Sequence, residues 1–375
     1  MSKGKKVLIV GAGLSGMAAA IALQRLGVSV DLVELQPAWK ILGVGISVQG
    51  PALRALKAIG LIDRCVQQGF GYSSVVNCDV NGTPVGTVRL PNLNGPEYPA
   101  CVGIMRPTLH QVLADAMAEE GIRVRFGTSV ESLHQTDGRV DVQFSDGGTG
   151  AYALVLGADG ANSSVRRLLF GEVQTPRYTG QSVWRATVSR PAGVDARYAY
   201  YGPRHKAGIN PVSQSEMYIY LVQNVSGDPR LDPARWPEVM RDLLVDFGGY
   251  IGKARDEITD PARIVYRPIT SLLLPSPWYV GRVLLIGDAA HTAAPHLASG
   301  ASIAVEDSIV LAELVRAGKP VTVILEQFMR RRYERCRMVV ENSLQLGEWE
   351  KHPNAPDSDP TRLIAQSMKV LAQPA

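Results

Sequence analysis

The sequence predicts an α/β protein: a Rossmann-like parallel sheet carrying an inserted, mainly antiparallel β-sheet domain and a C-terminal helix. Three observations carry that prediction. Three apolar runs, Val7–Val10, Ala153–Leu156 and Val283–Ile286, each end in a glycine turn. Strands buried on both faces end in this way when they present backbone to a ligand. The segment from about Tyr178 to Arg267 instead alternates along its strands, as an open antiparallel sheet does. Beyond it, Val321 to Leu346 reads as one long helix.

The first turn is Gly11-Ala12-Gly13-Leu14-Ser15-Gly16, followed by a small-residue helix from Ala18 to Leu26. Gly11 permits the tight turn, Gly13 admits a pyrophosphate close to the backbone, and Gly16 lets helix and strand touch. The free N–H groups around Leu14 and Ser15 and the positive end of the helix dipole hold phosphate. A second strand, Val28–Val33, ends in Glu34, about 20 residues beyond the glycines, where a carboxylate accepts hydrogen bonds from a ribose. The second turn is Gly157-Ala158-Asp159-Gly160 and the third is Gly287-Asp288-Ala289-Ala290-His291. Three such turns converging on one ligand imply a long molecule with a pyrophosphate in it, which points to FAD.

Other elements fill in around these. A strand or loop from Gly43 to Ser47 returns toward the ligand and precedes a helix near Pro51–Ile59; the Ser47 hydroxyl is a candidate contact. Val75–Val80 and Val85–Leu90 flank Asn81-Gly82, a hairpin signal. Pro107–Glu120 reads as a helix, and Arg123–Phe126, Val130–Leu133 and Val140–Phe144 as a small antiparallel excursion. Trp236–Phe247 reads as an amphipathic helix. The expected division is a discontinuous FAD-binding domain (1–74, 98–177, 268–320), a substrate domain (hairpin 75–97 and 178–267), a helix at 321–350 and a loosely held tail at 351–375. The basic face of the long helix, Arg330, Arg331, Arg332, Arg335 and Arg337, reads as solvated.

Composition excludes several classes. A net charge of +4 without a Lys/Arg block argues against nucleic acid. No apolar stretch approaches the ~18 residues of a membrane span. The basic start, Met1 to Lys6, reads as a frayed terminus ahead of the first strand rather than a signal peptide. Cys65, Cys78, Cys101 and Cys336 lack metal-ligand spacing and fit reduced packing residues, so no metal and a cytoplasmic location are expected.

With these motifs in place, the chain from Val7 to about Gly347 resembles the single-component flavoprotein aromatic hydroxylases, the family of para-hydroxybenzoate hydroxylase. The resemblance implies that Asp159-Gly160 lies near the pyrophosphate and serves both FAD and NAD(P)H. It implies that Asp288 of Gly287-Asp288 holds the ribityl chain, and that Arg106, opening the Pro107 helix, touches the cofactor. An arginine beside a pyrophosphate is a natural bidentate partner. The loop from His291 to Ser302 would lie against the flavin ring, with Gly300, Ala301 and Ser302 offering helix N–H groups to its pyrimidine end. Ser299 and Ser302 depart from the residues common in the family, which leaves backbone contacts there on firmer ground than side-chain ones. NAD(P)H, as a transient reductant, would reduce FAD. O2 would then form a flavin C4a-hydroperoxide, and a small aromatic or heteroaromatic substrate would be hydroxylated.

For the substrate, Tyr218 and Tyr220 fall on one face of the strand Glu216–Leu221, with Met217, Ile219 and Leu221 on the other. Arg185, alternating opposite Trp184, is a candidate for a substrate carboxylate, whereas Arg204, His205 and Lys206 read as an exposed turn. Pro295 and His296 would stand near the reacting edge of the flavin, and a histidine there could take a phenolic proton. A hydroxylated benzoate or hydroxypyridine carboxylate would suit Arg185 and His296. His291 reads as structural. The expected assembly is a monomer or homodimer. The alternative reading keeps FAD but makes the protein a related reductase or oxidase acting on a non-aromatic substrate.

Overall fold

The computed structural model describes residues 6–39, 43–172, 174–227 and 231–375; the basic start expected to fray lies almost wholly outside them. A six-stranded sheet runs in the order Tyr279–Val280, Val283–Leu285, Leu154–Gly157, Lys6–Val10, Ser29–Glu34, Val124–Phe126. All neighbours are parallel except the antiparallel edge strand Tyr279–Val280. Val7, Leu8 and Ile9 are fully buried, as are Leu154, Val155 and Leu156 beside them. The continuous apolar runs are therefore central strands covered on both faces. This parallel arrangement puts the three glycine turns side by side at one end of the sheet.

The helix Leu14–Gln24 is buried from Ser15 to Leu23, because it lies between the sheet and the helix Gly300–Arg316. Close approach there rests on two glycines. A Cβ on Gly16 would lie 2.0 Å from the Gly11 carbonyl oxygen. Gly11 itself has φ +102°, and a Cβ there would lie 2.5 Å from the Ala158 oxygen.

The second large sheet has seven strands in the order Ile264–Ser271, Arg177–Ser189, Glu216–Asn224, Lys206–Pro211, Arg197–Tyr201, Ser74–Cys78, Pro84–Arg89. Its pairings are antiparallel except where Arg197–Tyr201 meets Ser74–Cys78. One face is apolar: Trp184, Ala186, Met217, Ile219 and Leu221 pack with Met240, Leu244 and Ile251. The helices Trp236–Leu243 and Gly249–Ala254 thus cover that face, and the expected single helix to Phe247 ends earlier, at Leu243. The opposite face is left for the cavity described below. The strands Gly45–Gln49, Cys101–Met105 and Phe70–Tyr72 form a small antiparallel sheet.

Three expectations are corrected. Val124–Phe126 pairs in parallel with Ser29–Glu34, and the antiparallel excursion is instead Val130–Thr136, Arg139–Phe144 and Thr149–Tyr152. The end of the chain is not loosely held: Pro360–Ala372 is a helix with Ser367 and Leu371 buried. The face of the Val321–Lys351 helix is not wholly solvated, since Arg332 and Arg335 are buried against Glu306 and Asp307. Sequence position gave the helical face of these arginines but not the carboxylates that draw them inward.

Candidate active site

The three turns and the bare face of the seven-stranded sheet enclose one cavity of about 350 Å³. From the parallel sheet come Gly13, Leu14, Ser15, Ala158, Gly160 and Asp288; Arg106 comes from the start of the helix Arg106–Glu119. A Cβ on Gly13 would meet no atom within 4 Å, so the backbone here faces open space. Asp288 opens into the cavity, and no hydrogen bond reaches its carboxylate among the described residues. Burial raises its carboxyl above the usual range, against the pull of His291 and Arg106. A lone acceptor there fits hydroxyl groups. The adjoining backbone turn, the helix start near Leu14 and the Arg106 guanidinium fit phosphates. The donor set therefore fits FAD.

Several expected cofactor residues also brace the turns themselves. Glu34 accepts hydrogen bonds from the Ala12 amide at 2.8 Å and the Gln36 amide at 2.9 Å, bracing the first turn. The Asp159 carboxylate caps the helix Ser164–Phe170, accepting from the Ser164 amide at 2.7 Å and the Val165 amide at 3.0 Å. Gly287 lies against Ser15 rather than in the cavity wall. Gly300 and Ala301 line the cavity at the start of the Gly300–Arg316 helix, whereas the buried Ser302 is not part of its wall. Sequence reasoning missed Arg166, which donates to the Ala289 carbonyl at 2.9 Å and ties the second turn to the third.

Behind the third turn lies a buried ionic cluster. Asp307 accepts from the Gly287 amide at 2.9 Å, from Arg332 Nε at 2.7 Å, and lies 2.7 Å from His291 Nε2. Burial works against a charged His291, but the Cys336 sulfur and Asp307 outweigh it and hold its pKa well above the usual value. Ligand-capable atoms of His291, Asp307 and Cys336 lie within 4.8 Å of one another, yet Arg332 already supplies the cation there. Glu306 beside it binds Arg335 at 2.8 Å through each oxygen, and Arg335 donates to the Val370 and Leu371 carbonyls at 2.9 Å. These bonds dock the last helix.

The substrate face follows from strand register. Arg185 pairs with Tyr220, and Asn210 with Tyr218, so all four project to one side, as the alternation predicted for the two tyrosines. Arg185, Arg197, Lys206, Asn210, Tyr218 and Tyr220 line the cavity. Arg197 donates to the Tyr220 hydroxyl at 3.3 Å while its Nε is buried without a partner, as is Asn210 Oδ1. No carboxylate pairs with Arg185 or Arg197 among the described residues. Burial raises the pKa of the Tyr218 phenol, which keeps it a neutral donor. Lys206 corrects the expectation of an exposed turn: it opens the strand Lys206–Pro211 and pairs with Glu350 at 2.6 Å.

Pro295 and His296 also border the cavity, in the short turn Pro295–Leu297. The His296 imidazole, however, is only 2% exposed and is tucked against the Val321–Lys351 helix, 3.4 Å from Glu350. It is not offered to the cavity as a free base. Ser47 lines the cavity and accepts from the Tyr72 hydroxyl at 2.9 Å.

Comparison with known proteins points to the same cofactor. A family model described as "FAD binding domain" matches residues 5–343. The chain is 28% identical over 344 residues to the "Putative FAD-dependent monooxygenase YetM" of Bacillus subtilis, covering 91% of this chain and 93% of that protein. It is 31% identical over 351 residues to the "2-heptyl-3-hydroxy-4(1H)-quinolone synthase" of Pseudomonas aeruginosa, covering 92% and 90%. Among solved structures, Klebsiella pneumoniae HpxO complexed with FAD and uric acid superposes with a TM-score of 0.86 at 22% identity. That match covers 100% of this chain and 98% of the other.

Proposed function

The chain belongs to the FAD-binding family of single-component flavin hydroxylases, and from that premise we propose that it hydroxylates a small, anionic aromatic or heteroaromatic compound. FAD is the cofactor, with NAD(P)H as reductant and O2 as co-substrate. When bound, it would take reducing equivalents from NAD(P)H and deliver an oxygen atom from O2 to the ring.

The observation that carries the reading is the shared cavity. Cofactor groups (Gly13, Arg106, Asp288) and substrate groups (Arg185, Tyr218, Tyr220) line it from opposite sides. Asp288 would accept from the ribityl hydroxyls, and Arg106 with the first turn would neutralise the pyrophosphate. The start of the Gly300–Arg316 helix would offer N–H groups and positive potential to the pyrimidine end of the ring. Arg185 and Arg197, half-buried and both without carboxylate partners, favour an acidic substituent, because a guanidinium drawn partly out of water gains from an anion that pairs with it. Tyr218 and Tyr220 place apolar ring faces and hydroxyl donors over the substrate.

The test is NAD(P)H oxidation by the purified, FAD-loaded protein with and without a panel of hydroxylated benzoates, hydroxypyridine carboxylates and quinolones. Strong stimulation by an acidic aromatic, with its hydroxylated product identified, supports the proposal. Stimulation by neutral aromatics alone would remove the role given to Arg185 and Arg197. Oxidation that no aromatic alters would move the protein to the reductase or oxidase reading.

A further inference from the structure

We infer that Glu350 is a positioning residue of this site, joining the flavin-side turn, through His296, to the substrate-side cation Lys206 in one ionic junction. The inference rests on the proposed function for what the two sides bind, and on geometry for the junction itself. Three separate elements meet there. Glu350 sits near the end of the Val321–Lys351 helix, Lys206 begins a strand of the seven-stranded sheet, and His296 belongs to the turn Pro295–Leu297. One Glu350 oxygen accepts from Lys206 Nζ at 2.6 Å, and the other lies 3.4 Å from His296 Nε2.

The long helix is shaped for this contact. A Cβ on Gly347, one turn before Glu350, would lie 2.9 Å from His296 Cε1 and 2.9 Å from Gln181 Oε1. The absence of a side chain at Gly347 makes the seat for the imidazole. Both His296 ring nitrogens, Gln181 Oε1 and Glu350 Oε2 are buried without a well-formed hydrogen bond. Such groups are costly to leave unpaired, so the ring is held chiefly by the field of the carboxylate. The charged groups facing His296 are Glu350 from the helix and Lys206 from its strand. Gln181 from the strand Arg177–Ser189 shares the Gly347 seat, and Tyr201 and Tyr220 lie near Lys206.

The consequences follow from charge. Burial alone would raise the Glu350 carboxyl, but Lys206 and His296 hold it at about 2, so it stays an anion and does not carry protons. This carboxylate, 3.4 Å from Nε2, orients the imidazole in its seat. It also fixes the direction of the Lys206 ammonium in the cavity wall. Neutralising Glu350 would free the cation on the substrate side and loosen the turn on the flavin side together.

The test uses the FAD-loaded protein with ¹³C-labelled histidine at neutral pH, the His296 ring signal being assigned by NMR with His296→Gln. Glu350→Gln should move that signal, because the carboxylate facing Nε2 is gone. Lys206→Met, made on the far side of the junction, should move it as well, through Glu350. Both substitutions should also shift the visible flavin spectrum. A His296 signal that ignores Lys206→Met, or a flavin spectrum unchanged by both substitutions, overturns the inference. Neither readout requires turnover. Failure of every aromatic compound to stimulate NAD(P)H oxidation would therefore sink the hydroxylase reading while leaving this junction to be judged separately.

Discussion

Asp307 accepts a hydrogen bond from the Gly287 amide at 2.9 Å, so a buried carboxylate in the Gly300–Arg316 helix fixes the turn from which Asp288 enters the cavity. The same carboxylate holds Arg332 at 2.7 Å, and through it the long C-terminal helix. Cofactor geometry and C-terminal docking therefore share one anchor, which lies outside the cavity wall.

Asp307→Ala should reveal that double role. The substitution leaves Arg332 fully buried beside Glu306 but without its closest partner, and breaking such a pair costs about 3–5 kcal/mol. Thermal unfolding of the FAD-free protein should show a large fall in Tm, and the surviving folded protein should retain less FAD. A Tm within about one degree of wild type, which for this chain length would correspond to roughly 1 kcal/mol, would refute the anchoring role.

Asp288→Ala should separate binding from folding. Its carboxylate faces the cavity, and no protein hydrogen bond reaches it among the described residues, so the FAD-free fold loses nothing. The side chain is exposed to the open cavity, so the unloaded protein should keep the stability of wild type. FAD affinity should fall by about tenfold or more, the worth of a charge-assisted hydrogen bond. Equal flavin occupancy after dialysis in mutant and wild type would remove Asp288 from the cofactor site.

How far the sequence revealed this site depends on whether a residue's role is local. Gly11, Gly13 and Gly16 were legible because backbone geometry demands them whatever surrounds the turn. Tyr218, Tyr220 and Arg185 were legible because a strand alternates. Lys206 was read as part of an exposed turn, although Lys206, Gly208 and Asn210 share a parity that runs along one strand face. Arg332 and Arg335 could not be placed, because the carboxylates that bury them come from another helix. The last helix was hidden by the Pro- and Asp-rich stretch before it. Yet Asp359 followed by Pro360 is a helix-start pattern, and its side chain accepts from the Arg362 amide at 2.9 Å. His296 borders the cavity, as its place after Pro295 suggested, but sequence order says nothing of the helix that captures its ring.

Gly45→Ala should disturb the substrate side while sparing the cofactor. Gly45 lines the cavity, and a Cβ there would lie 2.4 Å from Val212 and 2.5 Å from the Tyr218 ring. Tyr218 must then tilt away from the cavity, at a cost of about 1–3 kcal/mol for overpacking. FAD content should match wild type, while the KM for the stimulating aromatic rises several-fold. An unchanged KM would mean that Tyr218 does not set the substrate's position.

The Lys206–Glu350 pair should write itself into acid stability. The Glu350 carboxyl lies at about 2 in the folded protein against an ordinary 4.5, so folding favours its ionised form. The sign follows: its stabilisation is complete above about pH 4.5 and disappears as pH falls toward 2. The difference of about 2.5 units sets an upper bound of roughly 3 kcal/mol, since the group is 21% exposed. Lys206→Met removes the cation that holds the carboxyl down. The mutant should be less stable at pH 7, and the gap to wild type should narrow by roughly three fifths at pH 3, where the unfolded carboxyl is already protonated. Denaturant unfolding of both proteins at pH 7, 4 and 3 gives the gap directly. A gap that stays constant over that range would show that Lys206 stabilises the fold through its packing rather than through Glu350.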